Sequence, residues 1–112
     1  MTTPSEVTDG VDLKSLLTGS LIDVETRSRH YQIECLGGNA IRVSGHPDYC
    51  PQPVPAHLQG SLDKNGELEV GRIGPGMKMV FFLNDQRPVT TSRVVSLHVN
   101  GPKATKASQS IH

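Results

Sequence analysis

"GHPDYCPQPVPAH", residues 45–57, gathers His46, Cys50 and His57 among four prolines. Cysteine thiolate and imidazole are zinc ligands, and Cys35 from the preceding strand-like run would supply a fourth. Zinc motifs owe their specificity to close ligand pairs on each arm of the chain. Here three residues separate His46 from Cys50 and six separate Cys50 from His57, with no close Cys pair. The expectation is therefore a stiff connection, its path fixed by proline, with Tyr49 anchoring it to the core. It would hold no metal and no cofactor. The set Cys35, His46, Cys50 and His57 stands as the alternative, a metal or small-molecule sensor.

Other chemistry has less behind it. Ser92 in "TTSRV" and Cys50 in "DYCP" are nucleophile types, but no G-x-S-x-G turn is present, and Thr and Ser in a run such as "VTTSRVVS" suit a pleated, half-exposed surface. The expected protein is non-catalytic. "GRIGPGMKM" carries glycines that could turn N–H groups to a phosphate. The phosphate-binding patterns need a helix directly after such glycines, none is indicated, and Pro75 lacks an N–H altogether.

Basic side chains offer a better lead. Arg27, Arg29 and His30 cluster at one polar turn, while Arg42, Arg72, Lys78 and Arg93 sit at positions that point outward from strands. Small β modules bind single strands and nucleotides through arginines and stacking rings. Tyr49 and Phe82 are the rings free to stack, and Glu25, Glu34 and Glu69 share the strands that carry the arginines, the mark of a solvated face. The candidate binding set is Arg27, Arg29, His30, Tyr49 and Arg93. With 11 Lys and Arg against 11 Asp and Glu, any anion binding must come from a local patch rather than from net charge.

These residues need elements to place them. "DGVDLKSLLTG" sets Leu13, Leu16 and Leu17 at offsets of three and four, after capping aspartates and before Gly19, which predicts one short N-terminal helix covering an open end of the fold. From Ser20 the period becomes two. "SLIDVET" turns Ile22, Val24 and Thr26 to one side, "HYQIEC" turns Tyr31, Ile33 and Cys35, and "IRV" turns Ile41 and Val43. After the proline-rich loop, "HLQGSL" takes a short strand and "KNG" a turn. "ELEVGRI" resumes alternation with Leu68 and Val70, "MKMVFFL" with Met77, Met79, Phe81 and Leu83, and "VTTSRVVSLHV" with Val95, Leu97 and Val99.

The predicted fold is mostly β: a small antiparallel β-barrel or sandwich of six to seven short strands with one short N-terminal helix, bent at Gly60, Gly71, Gly74 and Gly76. Residues 11–100 would form a single domain between flexible tails, 1–10 and 101–112. Cys35 is expected to be buried and Cys50 partly exposed. The start lacks a signal peptide, and no apolar run approaches the ~20 residues of a membrane span. The expected location is the cytoplasm.

Residues 76–97, "GMKMVFFLNDQRPVTTSRVVSL", resemble the strand, turn and strand of PilZ domains, small barrels that bind cyclic di-GMP. That family's binding signature, R-x-x-x-R followed by D/N-x-S-x-x-G, is missing, since one residue separates Arg27 from Arg29. The resemblance therefore implies a barrel strand pair and not the family's ligand. The expected function is a binding or adaptor module, contacting protein or nucleic acid through a strand face or edge.

Overall fold

The computed structural model describes residues 5–6 (backbone only), 10–84 and 86–101. The flexible-tail expectation falls mainly on residues 1–4, 7–9 and 102–112, outside the described residues. Ser5–Glu6 form β1, paired with the end of the last strand.

The period-two runs become strands because each alternates core and solvent faces. β3 (Leu21–Thr26), β4 (His30–Gly37) and β5 (Ala40–Ser44) form an antiparallel meander, in register at Leu21 with Glu34 and at Gln32 with Ser44. β6 (Val54–Leu62) pairs with β5 along its first half and with β9 (Lys78–Leu83) along most of its length. β10 (Pro88–Asn100) pairs with β9 through its first residues and with β3 through its last. The pairing closes on itself, from β3 through β4, β5, β6, β9 and β10 back to β3, as a ring of antiparallel strands. Its interior is filled by Ile22, Val24, Ile33, Ile41, Val43, Leu58, Met79, Phe81 and Leu97, each at most 1% exposed. Among the described residues no helix is long and apolar enough to cross a membrane.

β7 (Leu68–Val70) extends β6 beyond the reach of β5. A Cβ on Gly60 would lie 2.1 Å from the Glu69 carbonyl oxygen, so only glycine lets β7 come this close. Leu68 and Val70 were expected to alternate into the core, but all of β7 is exposed, Val70 at 80%.

The N-terminal helix is not formed. Val11–Asp12 (β2) pair with Arg72–Ile73 (β8), and the Leu13 N–H donates to the Gly71 carbonyl, so the backbone is committed to strand pairing before a helix can start. What remains is a 3₁₀ turn, Leu13–Ser15. Leu13 still enters the core beside Ile73, while Leu17 faces solvent. This segment lies at the end of the ring where β3 begins, fastened by the Gly19 N–H to the Cys35 carbonyl.

The inward set of β10 also differs from expectation. Val94 and Leu97 are buried, Val99 is half-buried and Val95 is 55% exposed. Register breaks at 90–93 and at 94–96 shift the phase of alternation, as extra bulge residues must.

Candidate anion-binding groove

The β3–β4 turn, the β5–β6 loop and the β9–β10 turn all leave the ring at the end opposite the N-terminal segment, as the registers require. Between the first two and the start of β10 lies a groove of about 260 Å³. Ser28 and Arg29 form one wall, His46 and Tyr49 another, and residues 88–92 of β10 a third, with Tyr31 at the floor.

Each wall is held by backbone. The Thr26 hydroxyl donates to the Arg29 carbonyl and accepts the N–H groups of Ser28 and Arg29, closing the turn that presents Arg29. That turn is tied to β10 by the Arg27 N–H to the Arg93 carbonyl and by the Ser28 N–H to Ser92 Oγ. In β10, the buried Thr91 hydroxyl fills the bulge, donating to the Ser92 carbonyl at 2.7 Å and accepting the Met79 N–H at 3.0 Å. It replaces the ladder bond that the bulge breaks, which leaves Ser92 and Thr90 beside the groove.

The β5–β6 loop is drawn down by Gly45, whose φ of 127° and close packing on the His30 and Tyr31 backbone exclude a side chain. Gly45 N–H donates to the Cys50 carbonyl and Cys50 N–H to the His46 carbonyl. Cys50 was expected to be partly exposed and Tyr49 to be the anchor. The roles are reversed: Cys50 is fully buried, and Tyr49 is 41% exposed with the His46 ring 4.5 Å away and the Arg87 guanidinium 5.5 Å from its ring centre. A one-residue shift along so tight a loop decides which side chain points in. His46 Nδ1 accepts the N–H groups of Asp48 and Tyr49, which leaves the ring proton of the neutral imidazole on Nε2.

Burial pushes the Cys35 and Cys50 thiols up. Glu34 adds to the shift at Cys35, and a backbone hydrogen bond at His46 opposes it at Cys50. Both thiols are therefore held in the protonated, less nucleophilic form. Burial also raises the Tyr31 phenol, helped by Cys50 and opposed by the Arg29 charge.

Of the binding set read from sequence, Arg29 and Tyr49 meet in the groove. Arg27 stands on the same turn, exposed and outside the lining. His30 lies on the outer face, 3.8 Å from Asp23, and the Arg93 guanidinium is drawn to the Gly76 carbonyl at 2.9 Å. The metal set is scattered. Cys35 faces the core, His57 is exposed on β6 beside Phe82, and among the described residues no three His, Cys, Asp or Glu side chains gather where a metal could sit. Sequence reasoning missed Ser28, Thr90 and the groove role of Ser92, which look like ordinary turn and strand residues until the bulge is seen.

Among the described residues the groove wall contains no carboxylate, and neither Arg27 nor Arg29 has an acidic side chain within ion-pair distance. Positive charge, an imidazole N–H and hydroxyls thus share one groove, with no counter-charge among the described residues that line it. The chain matches no protein-family model, no curated protein and no solved structure.

Proposed function

We propose that this protein is a non-catalytic binding module, a small β-barrel that takes a small anionic ligand in the groove at one end. The observation that carries the reading is the meeting of Arg29, His46 and Ser92 in a cleft whose lining, among the described residues, holds no acid. Arg29 is solvent-exposed and so holds its charge in water, free to pair with an anion that enters the cleft. The reading joins the basic turn to the loop at 45–57 and so favours a small-molecule binder over a metal sensor. A nucleic-acid strand face has less support: Arg42 and Arg72 are engaged with carboxylates, and Tyr49 already has His46 and Arg87 against it.

Isothermal titration calorimetry with phosphate, sulfate, citrate and succinate tests this, run beside a single-stranded oligonucleotide. Saturable binding of at least one small anion is expected, lost in Arg29→Ala and kept in Arg42→Ala. Equal affinity in wild type and Arg29→Ala would refute the groove, and tight binding of the oligonucleotide alone would return the strand-face reading.

A further inference from the structure

Resting on that reading, we infer that the ligand carries a terminal phosphate, a phosphomonoester seated between Arg29, His46 and Ser92. The argument is one of donors and directions. The Thr26 and Thr91 hydroxyl protons are spent on the Arg29 and Ser92 carbonyls. Ser92 is different: its Oγ accepts the Ser28 N–H, so its own proton remains to be given. His46 is locked by two N–H groups on Nδ1 into the form that donates from Nε2, and it lines the same groove. Arg29 presents a planar fork suited to oxyanions.

These three donors stand on three different walls: the β3–β4 turn, the β5–β6 loop and β10. A planar carboxylate offers two oxygens in one plane, and a phosphodiester leaves two free oxygens with bulk on both remaining corners. A terminal phosphate offers three free oxygens in a tetrahedron and has one ester arm to leave through the open side of the cleft. It is the anion whose acceptors match donors arriving from three sides.

The test compares glycerol 3-phosphate, dimethyl phosphate and succinate at one ionic strength, by calorimetry and by amide chemical shifts. Glycerol 3-phosphate is expected to bind at least about tenfold tighter than the other two, since each lacks an oxygen for one charge-assisted hydrogen bond. The shifts should centre on Ser28, Arg29, His46 and Ser92. Ser92→Ala and His46→Asn should each weaken it several-fold without changing the melting temperature; the Asn side-chain oxygen can still accept the loop N–H groups, so only the Nε2 donor is lost. Vesicles containing phosphatidic acid distinguish a lipid headgroup from a soluble ester, and preference for either supports the assignment. Dimethyl phosphate or succinate binding as tightly as the monoester overturns the phosphomonoester and leaves the anion groove standing. Failure of every anion to bind in an Arg29-dependent way overturns both. Unchanged affinity in His46→Asn overturns the three-walled seat.

Discussion

The outer face of β3, β4 and β5 and the groove at their end are built from the same strands and the same kinds of side chain, yet they handle charge in opposite ways. On the outer face the side chains answer one another: Gln32 donates to Asp23 at 3.2 Å, and Arg42 meets Glu34 at 2.8 Å. In the groove the backbone does the holding, through Thr26, Thr91, Gly45 and the Ser28 tie to Ser92, and the cationic tip of Arg29 has no acid among the described residues to meet. A face that satisfies itself needs no ligand. A scaffold that is fixed from behind and open in front is the arrangement expected of a binding site.

The largest effect separating the two regions should come from glycine. Gly45 joins the groove loop to β4, and an added Cβ would stand 2.2 Å from the His30 carbonyl oxygen in a backbone already at φ 127°. Gly38, in the β4–β5 turn, has φ 59° and nothing within 4 Å of the same added atom. Gly45→Ala should cost about 2–4 kcal/mol and abolish anion binding, while Gly38→Ala should cost about 1 kcal/mol and leave binding intact. Urea unfolding and calorimetry on both variants check this. Equal losses would mean that the loop is not packed on β4 as described.

The same contrast explains what the sequence disclosed. Met77, Met79, Phe81 and Leu83 alternate without interruption and all four are buried, because β9 has no bulge to change its phase. Val95 was misplaced because nothing in "VTTSRVVSLHV" announces that Thr91 will substitute its hydroxyl for a ladder bond. Leu13, Leu16 and Leu17 satisfied a helical period, and tertiary pairing of Val11–Asp12 with Arg72–Ile73 overrode it. For the site, Arg29 and Tyr49 were legible as chemistry. His46 was visible only as a metal candidate, and the Ser92 contribution depends on a contact with Ser28 across 64 positions, which no local pattern encodes.

A middle-sized effect concerns alkali, because the floor of the groove carries titratable groups and the outer face relies on carboxylates and arginine. The Tyr31 phenol and the Cys50 thiol are raised from ordinary values of 10.0 and 9.0, chiefly by burial, and Cys35 is raised likewise. When the native value is the higher one, the unfolded chain loses its protons first as pH rises. The stability these groups contribute is then whole below about pH 9 and falls as the pH climbs through the native values. Unfolding free energy should therefore decline steadily above pH 9. Cys50→Ala should flatten that decline, and Glu34→Gln, which removes only the smaller charge contribution at Cys35, should flatten it less. A wild-type protein equally stable at pH 8 and pH 10.5 would contradict the burial of these groups.

The smallest effect belongs to the outer face, where a close ion pair is expected to matter little. Arg42 and Glu34 meet at 2.8 Å, but their side chains are 44% and 35% exposed, so water screens their attraction and both lose rotamer freedom in meeting. A double-mutant cycle of Arg42→Ala and Glu34→Ala should give a coupling of about 0.2–1 kcal/mol, shrinking as salt is added. Neither substitution should alter anion affinity by as much as twofold, since neither side chain lines the groove. The two readouts guard against each other. A coupling near 3 kcal/mol would show the outer pair to be structural, and the contrast with the groove would then be one of degree. A large change in affinity on removing Arg42 would place the anion on the outer face, where a guanidinium released from Glu34 would be the competing seat.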